Sequence, residues 1–333
     1  MKQALLAVAL ALAFAGPAAG QGKGEAVKFQ DYPGTGNMLV RIAISKGYCE
    51  KYGIKCAVQM IPSGPLGAQA MLAKSIESSF ITPEIMIGAI NKGAKMKMVT
   101  GGAVTNNAIL IAGNHIETPN AAKGWPAFMQ DLKGKKVGLP ARGGAYEIMF
   151  TWMLNKAGMK AEDVVFVAVG APNTAYGALM SKQVDGLVMF EPAGAICDLT
   201  KTCKVLWRGT DKAPGELYAL NGGASVLVFT QDYIDKNPQV IEAVIKAMKD
   251  ADAFYNNPSN FDETVKISLS YFRLEMPKGD EILTTVLRNA LAVHAYVATI
   301  DRKAVQAGLD YLLATRQIEK APPLSELVYD KAP

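Results

Sequence analysis

The chain has 333 residues, with 35 Lys and Arg against 30 Asp and Glu and a formal net charge of +5. Its basic residues are scattered, so the clustered basic footprint that nucleic-acid binding requires is missing. The length exceeds what one hydrophobic core usually serves, which favours two lobes.

Residues 1–20 read as an export signal. Lys2 is followed by the apolar run Ala4–Ala15, a break at Gly16–Pro17, and the small residues Ala18, Ala19 and Gly20 before Gln21. The run is shorter than the roughly 20 apolar residues of a membrane span. No cysteine follows the cleavage point to carry a lipid. The mature chain is therefore expected in the periplasm, with a net charge of 34 − 30 = +4 once Lys2 is removed.

Ala26–Gln30 reads as the first strand and Asp31–Gly36 as a tight turn. One helix is predicted from Asn37 to about Lys51, stopped by Gly53, with Ile54–Ile61 as the next strand. The turn Pro62–Gly67 leads to a helix bearing Met71, Leu72, Ser75 and Ile76 at helical spacing. Phe80-Ile81 is a short strand, and Thr82-Pro83-Glu84 opens a helix with Thr as its cap and Pro in its first position. Lys95–Val99 and Ala108–Ala112 are further strands. A second unit begins with the strand Lys136–Leu139 and the glycine-containing turn Pro140–Gly144. The helix after it carries Tyr146, Met149, Phe150, Met153 and Leu154 on one stripe. Strands Val164–Val169 and Gly186–Phe190 flank a helix capped by Asn173, and Lys204–Trp207 and Ser225–Thr230 follow. From Asn237 the pattern is helical, with later helices near Asp262–Phe272, Asp280–Ala292 and Asp301–Leu313. Alternating strands and helices imply mostly parallel sheets with helices on their faces.

Part of this pattern occurs twice, 108 positions apart. Ala70–Glu84 (AMLAKSIESSFITPE) lies over Ala178–Pro192 (ALMSKQVDGLVMFEP), so that Ile76 meets Val184 and Ile81 meets Met189. Two copies of an α/β unit suggest two similar lobes with a ligand between them. Cys49, Cys56, Cys197 and Cys203 allow three pairings. Export favours disulfides, and Cys49–Cys56 with Cys197–Cys203 keeps each bridge inside one predicted lobe. No metal site is expected, because the gaps fit zinc spacing poorly and the chain has 2 histidines.

KGYCEKYGIKCAVQMIPSG (Lys46–Gly64), SSFITPE (Ser78–Glu84), DLKGKKVGLPARGG (Asp131–Gly144) and VDGLVMFEP (Val184–Pro192) resemble the substrate-binding proteins of nitrate, taurine, alkanesulfonate and thiamine-precursor ABC importers. The resemblance runs from about Val27 to the C-terminus. It implies a two-lobed periplasmic binding protein fold of type II, each lobe a mixed, mostly parallel sheet flanked by helices. Lobe I would comprise 21–113 and 224–333, and lobe II 114–223, with crossovers near Ile111–His115 and Gly222–Val226. It further implies a monomer without cofactor that binds a small molecule and delivers it to an ABC importer permease.

Open α/β sheets bind ligands beyond the carboxyl ends of their strands, where helix starts offer unpaired N–H groups to anions. Asn37, Ser63, Gly64, Thr82 and the turn Arg142, Gly143, Gly144, Ala145 and Tyr146 are the candidates here, with a helix cap as the equal alternative for Asn37, Ser63 and Thr82. Arg142 stands where the resembled proteins carry small hydroxyl or glycine residues. Pointing inward it would clamp an oxyanion in bidentate fashion, and pointing outward it would be a solvated surface charge. Glu191 matches the acid of the family's aromatic-acid-proline motif, which meets an amine or another donor in some relatives; with a ligand lacking a basic group it would bond backbone amides, and its alternative is a hinge or surface carboxylate fixing the turn before Pro192. Tyr32 and Tyr146 could stack on an aromatic ring, with the core as the alternative for Tyr146. The ligand expected is a small organic anion such as a sulfonate or carboxylate.

Enzymatic readings find little support. His115 and His294 are isolated, and no G-x-S-x-G elbow, H-E-x-x-H pair or Walker A loop occurs. A similar branch that makes a thiamine pyrimidine uses clustered Cys and His, which this chain lacks. The alternatives left open are a secreted enzyme or a sensor input module on the same fold, including one that binds a thiamine-precursor pyrimidine.

Overall fold

The computed structural model describes residues 22–103, 108–209, 225–314 and 316–333; the expected signal at 1–20 lies outside them. The first unit runs β1 (Glu25–Asp31), α1 (Met38–Ser45), α2 (Tyr48–Lys51), β2 (Ile54–Met60), α3 (Gly64–Leu72), β3 (Ser78–Ile81), α4 (Pro83–Ile90) and β4 (Met96–Ala103). The second runs β5 (Ala108–Gly113), β6 (Lys136–Leu139), α5 (Ala145–Lys156), β7 (Val165–Ala168), α6 (Pro172–Met180), β8 (Gly186–Phe190), α7 (Ala193–Thr200) and β9 (Cys203–Arg208). After β10 (Ser225–Thr230) come α8 (Gln231–Lys236), α9 (Pro238–Tyr255), α10 (Phe261–Tyr271), α11 (Gly279–Ala292), α12 (Arg302–Ala314) and the short α13 (Leu324–Leu327).

The single helix expected from Asn37 is two helices. Gly47 takes φ +69, a left-handed conformation open to glycine that ends α1 and re-aims the chain into α2. In the other direction, α3 begins three residues inside the expected turn. Pro65 fits its first turn without needing an N–H, and Gly67 lies where a Cβ would meet Gln30 Oε1 at 1.8 Å. Asn173 sits inside α6, whose cap position is Ala171.

Two five-stranded sheets result, ordered β2-β1-β3-β10-β4 and β7-β6-β8-β5-β9. In each, four strands run in one direction, three of them paired in parallel, and one inserted strand, β10 or β5, pairs antiparallel with both its neighbours. The sheets are thus mixed, with less parallel pairing than alternation suggested. β5 corrects the boundary placed at 113: Ile109 pairs with Met189 and Ile111 with Leu187, so the strand belongs to the second sheet. Its run Ala-Ile-Leu-Ile-Ala is buried on both faces, and such a pattern suits a central strand of either sheet. β4 ends at Ala103 in the first sheet and β5 begins at Ala108 in the second, so the first crossover comes ahead of Ile111–His115. The second was expected near Gly222–Val226, of which 222–224 lie outside the described residues.

The repeat is geometric as well as sequential. The bounds of α3 and α6 differ by 172 − 64 = 108 and 180 − 72 = 108, and the starts of β3 and β8 by 186 − 78 = 108. Lys74 and Lys182, again 182 − 74 = 108 apart, both take left-handed φ values, 61° and 60°. The turns behind them close alike, with Ser75 N on Ala70 O and Gln183 N on Ala178 O, each at 2.9 Å.

Each lobe carries one disulfide, Cys49–Cys56 and Cys197–Cys203, with Cα separations of 5.9 and 4.9 Å. Among the described residues, no group of three His, Cys, Asp or Glu side chains could hold a metal ion. Nor is any described helix long and apolar enough to cross a membrane.

Candidate functional site

A cavity of about 80 Å³ lies between the sheets, at the carboxyl ends of β1, β2, β3, β6 and β8. The turns that follow those strands are its walls. The first lobe gives Tyr32, Ser63, Gly64, Phe80 and Thr82; the second gives Ala141, Gly144, Ala145, Tyr146, Phe190 and Glu191. Tyr296, from the segment after α11, closes one side and shares a 2.8 Å hydrogen bond with Thr35.

The starts of α3, α4 and α5 meet here. Their cap positions are Ser63, Thr82 and Gly144, and none has a side chain bonded to the first-turn N–H groups. Those groups carry the positive end of the helix dipole. Among the described residues, Ser63 Oγ and Thr82 Oγ1 are themselves buried without a hydrogen-bond partner. Buried polar atoms without partners are rare and costly, so unmet hydroxyls beside uncapped helices mark a place for an acceptor-rich ligand.

The loop that presents Tyr32 is fixed by a buried ion pair. Arg41 Nε donates to Asp31 Oδ2 at 2.8 Å with both side chains fully buried. Its other nitrogens donate to Gly34 O at 2.8 Å and Tyr32 O at 2.7 Å, while Asp31 Oδ1 accepts from Tyr32 N and Asn37 N. Gln30 ties the next two turns together. Its amide donates to Ile61 O and Ser63 O, and its carbonyl accepts from Ser79 Oγ and Phe80 N.

Aromatic rings supply the apolar wall. Tyr146 stacks on Phe190 at 5.8 Å, Tyr32 stands edge-on to Phe80 and Phe190, and the Tyr32 hydroxyl donates to Phe80 O. Burial raises the phenol pKa values of Tyr32 and Tyr146, so both stay neutral donors. Glu191 is the one carboxylate among the described residues of the lining. Burial raises its pKa, opposed by the Ala195 N–H at 3.0 Å and by Arg208, whose Nε lies 3.7 Å from Oε1.

Seven of the expected residues thus share the cavity: Ser63, Gly64, Thr82, Gly144, Ala145, Tyr146 and Glu191. Three do not. Arg142 turns outward, bidentate to Glu147 with two contacts of 2.9 Å, and its guanidinium lies 5.4 Å from the Phe166 ring. Gly143 turns with it, its N–H on Glu147 Oε2. Glu147, five residues on in the first turn of α5, is well placed to take the guanidinium. Asn37 sits behind the lining, its amide donating to Gln30 O, with Oδ1 unmet. Sequence reasoning missed Phe80, Phe190, Thr35 and Tyr296. Phe190 lay within the motif that singled out Glu191, whereas nothing near Tyr296 marked it.

Paired mixed sheets, crossed twice by the chain and walling a cavity with helix starts, define the two-lobed fold of periplasmic binding proteins. A protein of Bordetella bronchiseptica has that fold at a TM-score of 0.75 and 20% identity, over 93% of this chain and 96% of its own. So does the alkanesulfonate-binding protein of Xanthomonas axonopodis pv. citri, solved bound to MOPS, at 0.71 and 18%, over 93% and 99%. A Brucella abortus protein named as a candidate binding protein is 26% identical over 246 residues, 74% of this chain and 70% of that one. The chain belongs to the NMT1-like family, which matches residues 26–270.

Proposed function

We propose that the protein is the periplasmic solute-binding component of an ABC importer, closing around a small organic anion and presenting it to a membrane permease. The observation that carries this reading is the pair of unmet hydroxyls, Ser63 and Thr82, at uncapped helix starts inside an aromatic-walled cavity. Among the described residues of the lining there is no lysine or arginine. Backbone amides and hydroxyls, not a guanidinium, would therefore hold the acidic group. The rings of Tyr32, Phe80, Tyr146 and Phe190 would cover the ligand's body, and Glu191 would accept from a donor at its far end. The small cavity favours compact sulfonates and carboxylates. Likeness to a sulfonate-binding fold points the same way.

A thermal-shift screen tests it, using methanesulfonate, taurine, benzoate, nitrate, choline and glucose as probes. Stabilisation by one or more of the anions is expected. Stabilisation by choline or glucose alone would sink the proposal.

A further inference from the structure

The family match ends at residue 270, and α11, α12 and α13 lie beyond it. This C-terminal segment is anchored on the first sheet. Val328 bridges to Met98, Tyr329 N donates to Met98 O at 2.9 Å, and α12 packs along α4. The absence of a side chain at Gly308 permits that packing, since Glu84 Oε1 lies 3.2 Å from where its Cβ would stand.

From this anchorage Tyr311 of α12 reaches across to α5 in the second lobe. Its hydroxyl donates to Ile148 O at 3.1 Å, and its ring stands edge-on to Trp152, centroids 5.9 Å apart at 73°. Val305, Leu309 and Leu312 of α12 belong to the same buried apolar cluster as Met86 of α4 and Met149 of α5. These are the two helices whose starts, Thr82 and Gly144–Tyr146, line the cavity from opposite lobes. Tyr311 thus ties α5 to α12, which itself packs on α4, and so holds the two helices at a set separation, because packed aromatic contacts have defined geometry.

We propose that Tyr311 is a positioning residue for the site: it sets the gap between the starts of α4 and α5, and with it the share of closed protein before any ligand arrives. Binding strength then depends on a residue that lies outside the family match and does not line the cavity, because a receptor that is only fractionally closed binds with proportionally lower apparent affinity. The proposal rests on the two-lobed fold and on the site lying between the lobes, not on the nature of the solute.

The test uses the full chain without ligand. Among the described residues every cysteine is paired, so spin labels can be placed at Lys92→Cys on the first lobe and Gln183→Cys on the second, both exposed positions. Pulsed electron resonance should give one dominant separation for the otherwise native protein. Tyr311→Ala should add a second, longer population. Tyr311→Phe keeps the ring against Trp152 and loses the bond to Ile148, so it should restore most of the short population. A Tyr311→Ala protein with native circular dichroism and an unchanged distance distribution would overturn the proposal. If that variant does not fold, Trp152→Leu removes the same ring contact from the α5 side and is read in the same way. Because no solute is added, failure of the anion screen leaves this result standing.

Discussion

Ser63 buries a hydroxyl that has no hydrogen-bond partner among the described residues. Removing an unpaired buried polar atom does not destabilise a fold, so Ser63→Ala should leave unfolding free energy unchanged or slightly higher, by up to about 1 kcal/mol. The same change should weaken anion binding roughly tenfold, the worth of about one hydrogen bond to a charged group. Urea unfolding and titration calorimetry on one preparation check the two halves separately. Glu84, 7% exposed at the start of α4, has its pKa pushed up to about 7 by burial. The folded protein thus holds a proton that the unfolded chain releases near 4.5, so this group's contribution to stability is greatest in acid and falls as pH rises from about 4.5 to 7. Over that window the loss is on the order of 3 kcal/mol. Glu84→Gln should match the native protein near pH 4.5 and melt higher at pH 8, and parallel melting curves at both values would refute it. Arg41 gives the opposite sign: Arg41→Met strands Asp31 as a buried charge and should cost about 3–5 kcal/mol by urea unfolding. The cap residues at Ser63 and Thr82 were legible because a turn residue before a helix is a local pattern. The direction of Arg142 was not, because the competing carboxylate on Glu147 becomes a neighbour only once α5 forms.

At the scale of elements the repeat was the most legible signal, and the structure sharpened it to matching helix bounds and matching lysines. Lys74 and Lys182 end their helices in the conformation that glycine adopts without penalty. Lys74→Gly and Lys182→Gly should each stabilise the protein by about 1 kcal/mol. The two gains should add, because the sites lie in different lobes. Thermal melts of the singles and the double check this, and two lower melting temperatures would refute it. Both disulfides close short loops, with sequence separations of 7 and 6. Each should contribute about 2–3 kcal/mol through the unfolded chain. Since neither joins the lobes, reduction should lower the melting temperature while leaving affinity for a bound anion within about twofold. What the sequence hid at this scale was membership. Ala108–Gly113 is apolar throughout, and such a run carries no mark of which sheet it completes.

On the scale of the whole molecule, the two sheets and the cleft followed from alternation and repetition, while the cross-lobe contacts did not. Ile282, Leu283 and Val286 of α11 pack with Ala195 and Ile196 of α7, which joins segments nearly a hundred residues apart. Amphipathic periodicity announces that such a helix has a buried face but not what buries it. The sheet orders carry one more consequence. Strands β5 to β9 form one uninterrupted stretch, whereas the first sheet lacks a central strand until β10 is made. A chain emerging N-terminus first from the ribosome can therefore complete its middle before its beginning. Its opening third must wait, half-formed and in need of shelter, for a partner strand still to be delivered.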